Sequence, residues 1–149
     1  MIDLRLGDCL EVMKDIPDKS IDMILCDLPY GSTKMQWDSI IPFDNLWKQY
    51  ERIITDNGII VLFSSGNFTI DLINSNRKIY KYKLIWKKNV PTGMSSAKYR
   101  PMNYYEEICI FSRSKGTYNP QMKPRIGKHK ECYSTNVTND WCNNYKWIH

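Results

Sequence analysis

The sequence predicts an α/β fold, on three observations: strand-like segments alternate with helix-like ones, Ile21 to Cys26 is a compact apolar run suited to a buried parallel strand, and 149 residues suffice for a single core. A mainly parallel sheet with helices on both faces follows from that alternation. Hydrophobic residues at 42% and charged ones at 25% exclude a disordered or fibrous chain. No apolar run approaches the roughly 20 residues of a membrane-spanning helix.

Ile2-Asp3-Leu4-Arg5-Leu6 alternates with period two and reads as a short strand ended by Gly7-Asp8. Asp8, followed by Glu11, resembles a helix cap, and Leu10, Val12, Met13 and Ile16 then share a short helix that Pro17 terminates. Ile21 to Cys26 is the second strand. Asp44 is a candidate N-cap for a helix carrying Leu46, Trp47, Tyr50, Ile53 and Ile54, with Asn57-Gly58 as its stop. Gly58 to Phe63 is the strongest strand, a shorter helix follows around Phe68 to Asn74, and Tyr80 to Trp86 and Glu107 to Phe111 complete five strand candidates. Trp37, Trp47 and Trp86 read as core or helix-packing residues.

After about residue 113 the periodicity dissolves into a polar tail rich in Asn, Lys and Tyr. Charge divides the chain differently. Residues 1 to 76 carry 6 Lys and Arg against 12 Asp and Glu; residues 77 to 149 carry 15 against 4, with 12 of the 19 aromatic residues. Basic charge interleaved with rings suits a nucleic-acid surface, since cations neutralise phosphates and rings stack on bases; a solvated face above core tyrosines is the plainer alternative. The five cysteines form no CxxC pair, which points away from a zinc site or a disulfide framework. With no apparent secretory signal, the expected compartment is the cytoplasm.

Ligands of open α/β sheets bind beyond the carboxyl ends of strands, which directs attention to Asp27-Leu28-Pro29-Tyr30-Gly31 after the second strand. Asp27 offers a carboxylate, Pro29 fixes the turn and removes a donor, and the Leu28 and Pro29 carbonyls can face a ligand beside the Tyr30 ring. Acceptors next to an aromatic plane suit a planar group bearing NH2. A Pro-Gly turn with a packed tyrosine is the structural alternative.

At these residues the chain resembles the DNA amino-methyltransferases, which carry an (Asp/Asn/Ser)-Pro-Pro-Tyr motif and methylate adenine N6 or cytosine N4. The similarity extends through Leu6-Gly7-Asp8-Cys9-Leu10, Trp37-Asp38, Leu46-Trp47-Lys48-Gln49-Tyr50, Asp56-Asn57-Gly58, Ile85-Trp86-Lys87-Lys88, Glu106 to Ser112 and Thr117 to Gln121, especially with phage-type adenine methylases. It implies a Rossmann-like fold dependent on S-adenosylmethionine, with double-stranded DNA as partner, base flipping, and a place in restriction-modification. By this resemblance Asp27, Leu28, Pro29 and Tyr30 are catalytic: Tyr30 stacks on the flipped base while Asp27 and a Leu28 or Pro29 carbonyl accept from its amine. Asp8, Cys9 and Asp27 are expected at the cofactor, with helix capping an equally good role for Asp8. Lys34, Lys87, Lys88, Lys98 and Arg100 are expected at DNA phosphates. Residues 1–112 form the expected catalytic region and 113–149 the start of a target-recognition region.

The sequence departs from the family at Leu28, where a second Pro is usual; a backbone carbonyl acts there, so Leu is compatible. It also lacks the Phe-x-Gly-x-Gly cofactor loop, as the glycines stand at 7, 31, 58, 66, 93, 116 and 127. The expectation is therefore an incomplete fold of about five strands whose glycine loop comes from a C-terminal segment or a second chain. An adenine-N6 methyltransferase is the first reading. Cytosine N4 as target, an inactive DNA-binding remnant or half of a split enzyme, and an RNA or protein-glutamine substrate are the alternatives.

Overall fold

A computed structural model describes residues 2–33, 35–116, 118–121, 123, 124, 145 and 146. The chain divides into two compact units, Met1–Thr117 and Tyr118–His149. Most of the expected target-recognition region, and Lys34, lie outside the described residues.

In the first unit, Asp8 caps helix α1 (Cys9–Val12) by accepting from the Leu10 amide at 2.8 Å, and a 3-10 turn, Met13–Asp15, extends it. Strand β1 (Ile21–Asp27) follows. Helix α2 (Phe43–Ile53) buries Leu46, Trp47, Tyr50 and Ile53, a stripe at helical spacing, and each such burial contributes about 1.5–3 kcal/mol. Its cap is Pro42 and not Asp44, which stands in the first turn, where a carboxylate still meets the positive end of the helix dipole.

The helix also stops earlier than Asn57-Gly58. Ile54 turns extended, and strand β2 (Ile54–Ser64) runs through both residues. Gly58 serves the sheet instead, because a Cβ there would lie 2.5 Å from Ile54 Cγ1 and 3.0 Å from the Asp22 carbonyl. Helix α3 (Asn67–Ser75), strand β3 (Tyr80–Thr92) and strand β4 (Asn103–Phe111) complete the unit. In the second unit, β5 (Lys123–Pro124) pairs antiparallel with β6 (Tyr145–Lys146).

The main sheet has the order β1-β2-β4-β3. Only β1 and β2 pair in parallel; β4 runs antiparallel to both β2 and β3, which corrects the expectation of a mainly parallel sheet. The physical reason lies in the connections. Helix-bearing crossovers precede β2 and β3, whereas β3 returns to β4 through a short turn segment at Met94–Ser96, a link that favours antiparallel neighbours. Ile2 to Leu6 is not a strand. It has no ladder partner among the described residues, and Ile2, Leu4 and Leu6 are fully exposed, so alternation alone did not make a strand.

Helices α2 and α3 cover one face of the sheet, packing Leu46, Trp47, Phe68 and Leu72 against Ile60, Leu62, Cys109 and Phe111. The register places Met23, Leu25, Tyr82, Leu84 and Trp86 on the opposite face, where all five are about half exposed or more. Helices on both faces are thus not found among the described residues, and β1 is buried on one side only. Trp47 is in the core and donates its indole N–H to Ser75 Oγ at 2.7 Å, but Trp37 and Trp86 are exposed. Trp86 makes an edge contact with Phe63, at a centroid distance of 5.9 Å.

Candidate active site

The parallel strands β1 and β2 end side by side, Asp27 opposite Phe63, and the loops leaving them build the site. Beyond β1 the chain passes through Leu28, whose side chain is 5% exposed and belongs to the core; whatever Leu28 offers a ligand comes from its backbone. The Tyr30 hydroxyl donates to Asp27 Oδ1 at 2.7 Å, and its ring stacks on Phe68 at 5.0 Å and 29°. Burial, then the Asp27 hydrogen bond and charge, push the Tyr30 phenol well above its ordinary value, so it stays a neutral donor at physiological pH.

Phe68 is itself fixed from the β2 side. Thr69 donates to Ser64 Oγ at 3.0 Å, and Ser64 lies 3.4 Å from the Cys109 thiol, so a buried polar relay ties the first turn of α3 to the ends of β2 and β4. Gly66, at φ +59, makes the turn between β2 and α3.

These loops and the β3–β4 connection enclose a cleft of 780 Å3 walled by Tyr30, Ser65, Phe68, Arg100, Tyr105 and Glu106. Lys88 also lines it and forms an ion pair with Glu106; the two side chains are 16% and 18% exposed. Glu106 is close enough to Tyr30 for its charge to reinforce the raised phenol value. One wall of the cleft is therefore aromatic and hydrogen-bonding, and the other carries a neutralised charge pair with a separate cation at Arg100. Such a site presents a stacking face, hydrogen-bonding groups and one cation outside the described ion pairs.

The expected residues separate into groups on this geometry. Asp27, Leu28, Pro29 and Tyr30 lie together at the β1 terminus, and of the four only Tyr30 lines the cleft; Asp27 meets it through the Tyr30 hydroxyl. Asp8 and Cys9 are outside the cleft lining: Asp8 caps α1, and Cys9 neighbours Cys26 near the end of β1. Partial burial, then the Asp8 charge, push the Cys9 thiol up, which leaves it a poor nucleophile. Of the expected phosphate contacts, Lys88 and Arg100 line the cleft, whereas Lys87 and Lys98 are exposed and do not. Ser65, Phe68, Tyr105 and Glu106 had no site role in the sequence reading. The available signal for the first two was their place just after the strongest strand, where α/β ligands bind.

No family model matches the chain. Two curated relatives from Moraxella bovis do: the type II methyltransferase M1.MboII is 28% identical over 123 residues, covering 75% of this chain and 46% of the relative. The type II methyltransferase M2.MboI is 30% identical over 133 residues, covering 72% and 48%. The chain thus spans about half the length of the curated relatives it matches. Among solved structures, M1.HpyAVI in complex with SAM superposes with a TM-score of 0.60 over 95% of this chain and 74% of that one at 20% identity. The cytosine-N4-specific PvuII DNA methyltransferase gives 0.57 over 79% and 50% at 14% identity. The chain is a homologue of the type II DNA methyltransferases, built on the S-adenosylmethionine-dependent methyltransferase fold.

Proposed function

We propose that this chain carries the catalytic motif of a DNA amino-methyltransferase that methylates adenine N6 in double-stranded DNA, taking S-adenosylmethionine as cofactor. The observation that carries the reading is the Asp27–Tyr30 pair at the open end of β1, beside a cleft with room for a base. The two Moraxella relatives and the fold support the reaction class; an acidic first motif residue favours adenine over cytosine.

In this reading the target base leaves the duplex, because its amine is out of reach inside the stack. The Tyr30 ring, braced from behind by Phe68, supplies the stacking plane. Asp27 accepts from the amine with the carboxylate that Tyr30 orients, and the Leu28 or Pro29 carbonyl takes the second N–H. These bonds localise lone-pair density on nitrogen and stabilise the positive charge it acquires. Positioning and electrostatics do the work, and no cysteine is needed.

The cofactor is a cation whose chemistry is the donation of a methyl group. The residues at the ends of β1 and β2 fit it: Asp27 provides negative charge, and no side chain at Gly66 crowds the backbone, where an added Cβ would meet nothing within 4 Å. Asp8, Cys9 and Asp27 would hold it. A glycine-rich loop for its methionine part is absent from this sequence, and we assign that loop to a segment beyond it, on the same or a second polypeptide. No helix among the described residues is long and apolar enough to cross a membrane.

The test is methyl transfer from labelled S-adenosylmethionine to unmethylated genomic DNA by the chain together with the segment that supplies the glycine-rich loop, followed by nucleoside mass spectrometry. N6-methyladenine is expected. N4-methylcytosine would move the target to the other base, and label recovered only in RNA or protein would overturn the DNA reading.

A further inference from the structure

The backbone just past Asp27-Leu28-Pro29-Tyr30 is held by a single carboxylate. Asp38, 6% exposed, accepts from the Gly31 amide through Oδ1 at 2.9 Å and from the Thr33 amide through Oδ2 at 2.6 Å, with the Ser32 hydroxyl 3.5 Å from Oδ2. The Asp38 amide closes the loop by donating to the Met35 carbonyl at 3.0 Å. Among the described residues each hydrogen-bond partner of the carboxylate is a donor; the Thr33 side chain lowers its pKa most, burial raises it, and the backbone bonds of Thr33, Gly31 and Tyr30 lower it further, so the net direction is down.

Gly31 is the pivot that this carboxylate fixes. Its φ is +65, and a Cβ there would lie 2.9 Å from Ile40 Cγ1. Glycine reaches that conformation freely and leaves it as freely, so it fixes no direction for the residue before it. Tyr30 is thus tied at two points, by its own hydroxyl to Asp27 and by the next amide to Asp38.

We propose that Asp38 is a positioning residue which, by clamping the Gly31 and Thr33 amides, sets the direction of the Tyr30 ring at the cleft wall. This rests on the methyltransferase reading for its functional consequence but not for its structural one. Asparagine is nearly the same size but has only one acceptor oxygen, so its NH2 must confront an amide donor of Gly31 or Thr33. The clamp requires a carboxylate.

The experiment compares wild type with Asp38→Asn, both labelled with fluorotyrosine and with the Tyr30 resonance assigned by Tyr30→Phe. In a folded Asp38→Asn protein, the Tyr30 fluorine resonance should shift or broaden and the Gly31 and Thr33 amides should exchange faster. For transfer to DNA, kcat should fall about 100-fold while KM stays within about threefold. An unmoved Tyr30 resonance, or wild-type kcat, would overturn the proposal. Should wild type, assayed together with the segment that supplies the glycine-rich loop, transfer no methyl to DNA, the functional reading fails on that result alone, and the fluorine and exchange data still decide the clamp. If Asp38→Asn does not fold, Asp38→Ser, which keeps one acceptor, is measured the same way.

Discussion

The hydroxyl of Tyr30 donates to Asp27 Oδ1 at 2.7 Å, joining the last residue of β1 to the aromatic ring three residues later. This bond makes the segment a single unit in which the ring and the carboxylate share one orientation. Tyr30→Phe removes the bond and keeps the stack on Phe68. We expect a stability loss of about 1 kcal/mol in chemical denaturation and reduced but measurable transfer. Tyr30→Ala, which deletes the stacking plane, should lose transfer to the detection limit.

Leu28 separates backbone from side-chain roles. Its side chain is 5% exposed in the core, so Leu28→Ala should cost about 2–5 kcal/mol by urea denaturation, whereas Leu28→Met should cost less than about 1.5 kcal/mol. Transfer by Leu28→Met should match wild type, because the carbonyl is unchanged. A large loss of kcat in a stable Leu28→Met protein would show that the side chain itself acts.

Two cleft cations are expected to behave differently on DNA. Lys88 is already neutralised by Glu106, whereas Arg100 has no carboxylate partner among the described ion pairs. Arg100→Ala should therefore reduce the slope of log Kd against log salt by about one, and Lys88→Ala should leave it unchanged. Equal slope changes in both variants would contradict this division.

Acid stability follows from two carboxylates. Burial raises the Glu51 pKa, but hydrogen bonds from Arg113 and Asn76 outweigh it, and the net direction is down from 4.5; Asp38 is held below 3.8. A lowered folded pKa means that the stability is fully present above the unfolded value and is lost as pH falls through the folded one. Thermal melts of wild type should therefore steepen their decline below about pH 4.5, and Glu51→Gln should flatten it. The Arg113–Glu51 bond at 2.8 Å is a partly exposed pair, so the effect is small at neutral pH.

The sequence revealed what depends on neighbours along the chain. The stripe Leu46, Trp47, Tyr50, Ile53 marked a helix because one face repeats every turn, and Asp27 to Tyr30 stood out because a polar turn follows a buried strand. Sheet direction was not legible, since β4 inserts between β2 and β3 and no local pattern encodes that choice. Exposure failed for the same reason. Met23, Leu25 and Trp86 look like core by type, yet they lie on a sheet face that no described element covers. In the site, Asp38, Phe68 and Glu106 are brought to Tyr30 by folding, across gaps that spacing rules do not span.

The central claim is that the β1 terminus is a methyl-transfer site acting through Asp27. The most direct measurement is labelled-methyl transfer to unmethylated DNA by wild type and by Asp27→Ala, each assayed together with the segment that supplies the glycine-rich loop and read as N6-methyladenine in the nucleoside digest, with thermal melts of both proteins. Wild type should form the modified nucleoside, and Asp27→Ala should form at least about 100-fold less while melting within a few degrees of wild type. Undiminished transfer by a folded Asp27→Ala protein would contradict the account.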